Sequence, residues 1–474
     1  MIAEYRSLDA LAIAELVRSG EVSASEVLET AIALIEACNP DLNAVVETLY
    51  DQAREAAAGA LPDGPFTGAP YVLKELVVSL PGARTSFGSK LFANNRPQIE
   101  SEIVTRYRKA GLVFAGKTNT SEFGLQPVTE PHLFGPTLNP WNRDRSPGGS
   151  SGGSAALVAT GALPMGHATD GGGSIRIPAS CCGLFGMKPT RARITAGPEG
   201  GEGLAGFANQ HAVTWSVRDS AALLDATQGP LPGDPYFACP PTLSYLEQAR
   251  RDPGQLRIAY STQAPNRTAI DADCVRATEE AARLCESLGH IVEEAEPEFD
   301  VKDVADGFGT VFQANTAANV ARATGGGLPE DGMVEPMTRA IAERGMAMSA
   351  PLYIQSLQAL HRETRRIAQF FTRYDVWLTP TLATPPPPIG KYRTDSDNVD
   401  EWLAELMGFI PFTYLFNVTG QPAMSVPLGQ STDGMPIGCH FAGRYGEEGL
   451  LYALAGQIER AQPWFGKRPE AYPL

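Results

Sequence analysis

The chain has 474 residues, of which 43% are hydrophobic and 19% are charged, so it is long enough to bury a substantial core. Its formal net charge of −16 argues against nucleic acid as a partner, because phosphates demand a basic face. Apolar runs break at charges, Gly or Pro before they reach the length of a membrane span. The start of the chain, Met1 to Ala10, is typical of an N-capped helix and not of a secretory signal. Together these features predict a soluble protein.

The seven cysteines are scattered without the spacing of metal ligands, and their number is odd. Cys181 and Cys182 are adjacent, which is too close for an ordinary disulfide, so we expect buried thiols. We therefore predict a reduced, cytoplasmic setting, and nothing in the sequence implies a metal or an organic cofactor.

Helical and strand patterns alternate along the first part of the chain. Apolar residues at helical spacing predict two helices between residues 8 and 38. Buried strands are predicted at 70–78 and 112–116, with a helix at 101–110 between them. Another helix is predicted at 154–160.

The same alternation continues beyond a glycine-rich loop at residues 196–210. A helix at 272–289 is flanked by strands at Arg257–Tyr260 and 291–292, and the region 300–370 is predicted to be mostly helical. Alternating strands and helices indicate an α/β fold.

Two glycine-serine clusters and a lysine are the most informative residues. The first cluster surrounds Ser150 in SPGGSSGG, and the second surrounds Ser174 in TDGGGSIRIPA, 24 residues further on. Lys74 precedes Ser150 by 76 residues and ends an apolar run. A serine hydroxyl needs a base to become a good nucleophile, and glycines let backbone N–H groups approach a reacting carbonyl. A buried lysine is such a base when burial keeps its amine neutral.

Three other motif matches compete with this interpretation. Residues 111–118 fit the phosphate-loop expression, but their interior residues themselves read as a strand. Residues 201–206 fit a dinucleotide expression without a buried strand before it. Residues 148–152 fit the nucleophile elbow of α/β-hydrolases, for which His361 or His440 would be the base, so a histidine mechanism stays open from the sequence.

The chain resembles the amidase signature family of serine amide hydrolases. Five segments carry the resemblance in its densest part: GAPYVLKE with Lys74, GLVFAGKTNTSEF ending at Phe123, both serine clusters, and CGLFGMKPT ending at Thr190. The C-terminal segments YDVWLTPT, FNVTGQPA and GMPIG extend it over most of the chain.

The resemblance implies a single amidase domain over residues 1–474, with a mixed central β-sheet covered by helices on both faces. Its signature core would span about 68–220, a variable helical substrate-pocket region about 300–370, and the C-terminal part of the core about 371–474.

The resemblance also implies residue roles. Ser174 would be the nucleophile, Ser150 a bridging serine on a cis peptide bond, and Lys74 the terminal base. The N–H groups of Gly171, Gly172, Gly173 and Ser174 would form the oxyanion hole.

Three positions depart from the family's pattern without removing a catalytic group. Gly171 stands where the family often has Thr or Ile, Glu75 where many members have Asp, and Trp215 where an Arg is usual.

The substrate is less well defined than the chemistry. Linear or cyclic aliphatic amides are expected first, with anilides and carbamates (urethanes) as alternatives. A glutamine-hydrolysing subunit of a tRNA-dependent amidotransferase is the alternative function. The aromatic residues Phe207, Phe312, Tyr414 and Phe416 are predicted to line an apolar pocket. Small-molecule amide and water are the expected partners, and self-association stays open.

Overall fold

The computed structural model describes Ile2 and residues 4–472, and the two ends of the predicted 1–474 domain lie partly outside that range. In the described part, the strands are β1 (Val45–Thr48), β2 (Pro70–Lys74), β3 (Val113–Thr118), β4 (Met165–Asp170), β5 (Phe185–Lys188), β6 (Asn209–Thr214), β7 (Arg257–Tyr260), β8 (Ile291–Glu294), β9 (Val376–Pro380), β10 (Ala423–Gln430) and β11 (Pro436–Gly443).

The α-helices in the same residues are α1 (Ala10–Ser19), α2 (Ala24–Leu42), α3 (Tyr50–Ala58), α4 (Glu102–Lys109), α5 (Gly152–Ala159), α6 (Arg176–Cys182), α7 (Val217–Thr227), α8 (Tyr245–Ala249), α9 (Ala272–Ser287), α10 (Val301–Thr324), α11 (Pro336–Met346), α12 (Ala350–Phe370), α13 (Val399–Phe409), α14 (Thr413–Thr419) and α15 (Glu448–Ala461). Within the described residues, no helix is long and apolar enough to cross a membrane.

The strands form a large mixed sheet and a small one. The large sheet has the order β4-β6-β5-β10-β11-β9-β7-β8, in which β9, β7 and β8 are parallel and the other neighbours antiparallel. The small sheet has the order β1-β3-β2, with β2 and β3 parallel. A mixed sheet in an α/β fold is what the sequence predicts, and the prediction is confirmed.

Helices cover both faces of the large sheet. Successive residues of a strand face opposite sides, and on β11 these are Gly438 and Cys439. A Cβ at Gly438 would lie 2.8 Å from Ser180 Cβ on α6, and the Cys439 thiol donates to the Ala277 carbonyl on α9 at 3.4 Å. The two helices therefore lie on opposite faces.

The predicted elements agree with the observed ones in kind and order. The two N-terminal helices are α1 and α2, the strand pair with its intervening helix is β2, α4 and β3, and the long helical region contains α10, α11 and α12. The strand predicted at 70–78 is too long, because β2 ends at Lys74 and the chain bends over 75–77. Asp9 caps α1 through the N–H of Ala12, and Ser23 forms a capping box with Glu26 on α2. Local sequence signals thus set where these helices begin.

The seven cysteines are all free thiols, and six of them, including Cys181 and Cys182, are buried. Cys239 is exposed.

A buried ion pair joins the C-terminal helix to the segment after β5. Arg193 Nε lies 2.8 Å from Glu448 Oε1, and the two side chains are 1% and 0% exposed. The N–H of Thr190 also donates to Glu448 Oε1 at 3.0 Å. Glu448 therefore fixes α15 against the end of the CGLFGMKPT segment.

We expect Glu448→Ala to lower the free energy of unfolding by about 3–5 kcal/mol, because it leaves Arg193 as an unpaired buried charge. Chemical denaturation measures this change. The matched control is Glu447→Ala, whose carboxylate pairs with Arg444 at 3.3 Å on the surface and caps no helix N–H. That variant should change stability by less than about 1 kcal/mol, and equal effects of the two substitutions would contradict the prediction.

Candidate active site

Lys74 ends the fully buried strand β2, and its amine has no access to solvent. Its Nζ lies 2.7 Å from Ser150 Oγ and 2.8 Å from Thr169 Oγ1. Burial lowers the pKa of the Lys74 amine well below its ordinary value, although the nearby Asp170 carboxylate raises it in part. The structure therefore favours an uncharged amine in contact with a serine hydroxyl.

The peptide bond between Gly149 and Ser150 is cis, as the resemblance implies. A Cβ at Gly149 would lie 2.4 Å from the Val128 carbonyl oxygen, so a larger residue does not fit there. Thr129 Oγ1 holds the cluster by donating to the Gly148 carbonyl at 2.9 Å and accepting from the Gly152 N–H at 3.1 Å. Helix α5 begins at Gly152, which places its positive N-terminal end beside Ser150.

The residues from Gly171 to Ser174 form a turn between β4 and α6. Gly173 has φ +138°, and a Cβ there would lie 2.6 Å from Thr413 Oγ1. Among the described residues, no backbone N–H from 171 to 174 donates a hydrogen bond to the protein. Thr413 Oγ1 donates to the Gly172 carbonyl at 2.8 Å and so fixes the orientation of that peptide. The turn thus holds unpaired donors next to Ser174.

Asp170, the last residue of β4, holds this turn in place. Its carboxylate accepts two hydrogen bonds from Arg176, at 2.9 and 2.8 Å, one from the Ile175 N–H at 3.2 Å and one from Asn417 Nδ2 at 2.9 Å. Asp170, Arg176 and Asn417 are all fully buried. Burial raises the pKa of Asp170, but the Arg176 charge outweighs that effect and brings the pKa down to about 2. The carboxylate is therefore ionised and the turn is fixed at both ends.

Ser150, Gly171, Gly172 and Ser174 line one cavity of about 960 Å³. Ser174 is 9% exposed, and its hydroxyl makes no hydrogen bond to the rest of the described chain. Ser150 and Ser174 thus share the cavity without a direct hydrogen bond between their hydroxyls in these described residues. Lys74 lies behind Ser150, out of contact with solvent.

Of the four aromatic residues predicted for the pocket, Phe312 lines the cavity. Phe207 and Tyr414 lie in a second layer behind it, because both pack on Phe308, at 6.2 and 5.2 Å between ring centroids. Phe416 is buried against Trp377, 6.0 Å away. The segment 411–417 contributes to the turn through Thr413 and Asn417 and not to the cavity wall.

Sequence reasoning missed three aromatic residues that do line the cavity: Phe87, Phe92 and Phe123. Their rings form a cluster, with centroids 5.1 to 6.0 Å apart. Phe123 ends the GLVFAGKTNTSEF segment, and Phe87 lies in the small-residue run SFGS, but neither pattern shows that these loops meet at one cavity. Thr169, the second contact of the Lys74 amine, was also missed, although it stands at the start of the second cluster.

The histidine alternative has no geometric support. His440 is fully buried and contacts Arg176 Nη1 at 3.0 Å through Nε2, while His361 is exposed on α12. Neither residue lines the cavity.

Residues 113–118 of the phosphate-loop match are strand β3, which excludes a phosphate-binding loop there. Within the described residues, no group of three or more His, Cys, Asp or Glu side chains converges as metal ligands would.

The chain matches the Amidase family over residues 26–452 and belongs to it, which confirms the resemblance to amidase signature enzymes. It is 39% identical to a 6-aminohexanoate-cyclic-dimer hydrolase of Paenarthrobacter ureafaciens, over 98% of this chain and 96% of that protein. A solved structure of 6-aminohexanoate cyclic dimer hydrolase superposes with a TM-score of 0.93 at 38% identity, covering 98% and 99% of the two chains. A bacterial aryl acylamidase superposes with a TM-score of 0.88 at 27% identity, covering 98% and 99%. The protein is therefore an enzyme of the amide hydrolase class.

We expect Asp170→Asn to lower the free energy of unfolding by about 3 kcal/mol or more, because it leaves the buried Arg176 charge without its anionic partner. The pKa of Asp170 is about 2 in the folded protein against 3.8 ordinarily, so its contribution is complete above about pH 4 and is lost as pH falls through about 2. Urea unfolding at a series of pH values should therefore show a shallower loss of stability for the variant in that window.

Asp252→Asn is the control for this comparison, because Asp252 pairs with Arg460 at the surface, where the two side chains are 71% and 48% exposed. It should lie within about 1 kcal/mol of the unsubstituted protein at neutral pH. A loss for Asp170→Asn no larger than for this control would refute the anchoring role.

Proposed function

We propose that this enzyme hydrolyses the C–N bonds of small amides through an acyl-enzyme on Ser174, using a Ser-cisSer-Lys triad. The observation that carries the proposal is the 2.7 Å contact between the buried Lys74 amine and the Ser150 hydroxyl, beside the cavity that Ser174 lines. We also propose that residues 1–474 work as one amidase domain with a reduced, cytoplasmic location, which the seven free thiols support.

The first step in the proposed reaction is proton transfer toward Lys74. The neutral amine accepts the Ser150 proton as Ser150 accepts that of Ser174, and the Ser174 oxygen attacks the amide carbonyl carbon. The negative oxygen that results is held by the N–H groups of the 171–174 turn, each of which is worth roughly 3–4 kcal/mol when lost from such a site. The unpaired state of these donors supports this role.

Collapse of the tetrahedral intermediate requires a proton on the departing nitrogen. An unprotonated amide ion is a very poor leaving group, so Ser150 donates a proton to the departing nitrogen. Lys74 then returns a proton to Ser150. Water then attacks the acyl-enzyme along the same relay and releases the acid. Thr169 Oγ1 accepts a hydrogen bond from the Lys74 amine at 2.8 Å and so orients the amine toward Ser150.

The cavity supports small amides as substrates. Its volume of about 960 Å³ and its aromatic lining fit a hydrocarbon chain or ring. The relatives named above, a 6-aminohexanoate-cyclic-dimer hydrolase and an aryl acylamidase, point to cyclic aliphatic amides and to aryl amides. We therefore propose linear and cyclic aliphatic amides first, with anilides and carbamates (urethanes) as further substrates, and water as the second reactant.

We expect Lys74→Ala, Ser150→Ala and Ser174→Ala each to lower kcat by about 10⁴-fold or more on any amide that the enzyme cleaves. The measurement is amine release by purified protein from a panel of short aliphatic amides, anilides and carbamates. His361→Ala is the control and should retain full activity. Folded protein that cleaves none of these, yet hydrolyses glutamine only with a partner protein, would favour the amidotransferase subunit instead.

The relay also predicts how rate depends on pH. Protonated Lys74 cannot accept a proton, so kcat/KM should rise with pH along an acidic limb. Because burial lowers the pKa of Lys74 well below 10.5, that limb should inflect well below the ordinary lysine value. Lys74→Arg, which keeps its charge at every pH, should be inactive throughout. A rate that does not vary with pH would contradict the role of Lys74.

A further inference from the structure

Four apolar residues that line the cavity have a left-handed backbone without being glycine. They are Val77, Phe87, Phe123 and Leu204, with φ between 49° and 57°. Such φ values are disfavoured for side chains that are large, and most of all for β-branched valine. Residues of this kind persist where the surrounding structure over-determines them, and they cluster at functional sites.

Val77 occupies a tight turn three residues beyond Lys74, in which the N–H of Val78 donates to the Leu76 carbonyl at 2.8 Å. Its side chain is 48% exposed although it is apolar. Beneath the turn, Lys117 Nζ donates to the Val78 carbonyl at 2.9 Å and lies 3.4 Å from Glu75. Both charged side chains are fully buried. The ion pair thus holds Val77 in its disfavoured conformation.

The backbone at Phe87 is held by the Glu75 carboxylate and by Phe123. The N–H of Ser86 donates to Glu75 Oε1 at 3.0 Å, and the Phe87 carbonyl accepts from the Phe123 N–H at 2.8 Å. The two left-handed residues Phe87 and Phe123 are therefore hydrogen-bonded to each other directly.

Phe123 follows Glu122, a buried residue that is only 3% exposed. Ser89 Oγ donates to Glu122 Oε1 at 2.6 Å, and the N–H of Glu335 donates to Oε2 at 2.8 Å. Glu122 thereby ties the Phe123 turn to the 86–89 loop and to the segment before α11. Val77, Phe87 and Phe123 are thus each held in place by a buried glutamate side chain.

The position of Val77, Phe87 and Phe123 relative to Ser150 indicates whether they contact the acyl half or the amine half of the substrate. Gly124 follows Phe123, and a Cβ at Gly124 would lie 3.2 Å from Ser150 Oγ and 2.9 Å from Leu76 Cδ2. In the proposed mechanism Ser150 protonates the departing nitrogen, so groups beside Ser150 face the amine half of the amide. Leu204 lies elsewhere, against the oxyanion turn, because a Cβ at Gly171 would lie 2.8 Å from its Cδ1.

We propose that Val77, Phe87 and Phe123 form an amine-side wall that determines specificity, by packing against the hydrocarbon chain or ring carried on the departing nitrogen. The proposal rests on the proposed amide hydrolysis at Ser174. Glu75, Lys117 and Glu122 are its positioning residues, because they act only through the wall. Substrates with an apolar amine half are therefore preferred over simple primary amides.

Two substrate series test this assignment. In the first, N-alkylacetamides lengthen the amine half, and in the second, n-acyl 4-nitroanilides lengthen the acyl half with the amine half constant. For the unsubstituted enzyme, kcat/KM should rise along the first series, by up to about fourfold per CH₂ group that the wall buries. Phe123→Ala and Val77→Gly should flatten that rise and leave the dependence on acyl length unchanged.

Val77→Gly separates specificity from folding, because glycine adopts φ 55° without strain. Its melting temperature should equal or exceed that of the unsubstituted enzyme while the dependence on amine length falls. Phe237→Ala is the control, since Phe237 is 59% exposed and lies outside the cavity lining. It should change neither series.

Wall variants that alter the acyl series instead, or that lower all rates equally in both series, overturn the amine-side assignment while amide hydrolysis stands. An unsubstituted, folded enzyme that cleaves neither series overturns the proposed function, and the wall with it.

Discussion

The contact between Lys74 and Ser150 is the interaction on which the site depends. A lysine amine can accept a proton only when it is uncharged, and water at its surface would keep it charged. The protein removes that water by ending a fully buried strand at Lys74 and covering the amine with Ser150 and Thr169. The same burial that keeps the amine uncharged also costs free energy, since the side chain gives up its hydration. The large apolar core around β2 supplies the stability that offsets this cost.

The turn from Gly171 to Ser174 would act as an oxyanion hole in the proposed mechanism, which requires backbone donors that stay unpaired and are still held in place. Glycines at 171–173 leave the N–H groups uncovered, and an ordinary side chain at Gly172 would lie 2.9 Å from Phe308 Cζ. Rigidity comes from outside the turn, through the buried Asp170–Arg176 pair. Gly171 stands where the family often has Thr or Ile. The structure explains why glycine fits here, because Leu204 occupies the space that a larger side chain would need.

The proposed amine-side wall of Val77, Phe87 and Phe123 is likewise held in place by buried polar side chains outside it. Its backbone is held in a disfavoured conformation by the buried side chains of Glu75, Lys117 and Glu122, which are themselves paired or hydrogen-bonded. Glu75 stands where many family members have Asp, and its side chain, longer by one carbon, reaches both Lys117 and the Ser86 N–H. The proposed catalytic amine and the proposed specificity wall are thereby linked through adjacent residues, Lys74 and Glu75.

The kind of elements, the fold class and the three candidate catalytic residues could be predicted from the amino-acid sequence, because helical periodicity, capping residues and the two glycine-serine clusters are local signals. It did not determine which aromatic residues line the cavity. Phe312 reaches it, but Phe207, Tyr414 and Phe416 are packed behind or away from it, and Phe87, Phe92 and Phe123 take their place. A buried aromatic and a cavity-lining aromatic look the same in a sequence. Only tertiary contacts between loops distant along the chain, fixed here by buried carboxylates, decide which rings face the substrate.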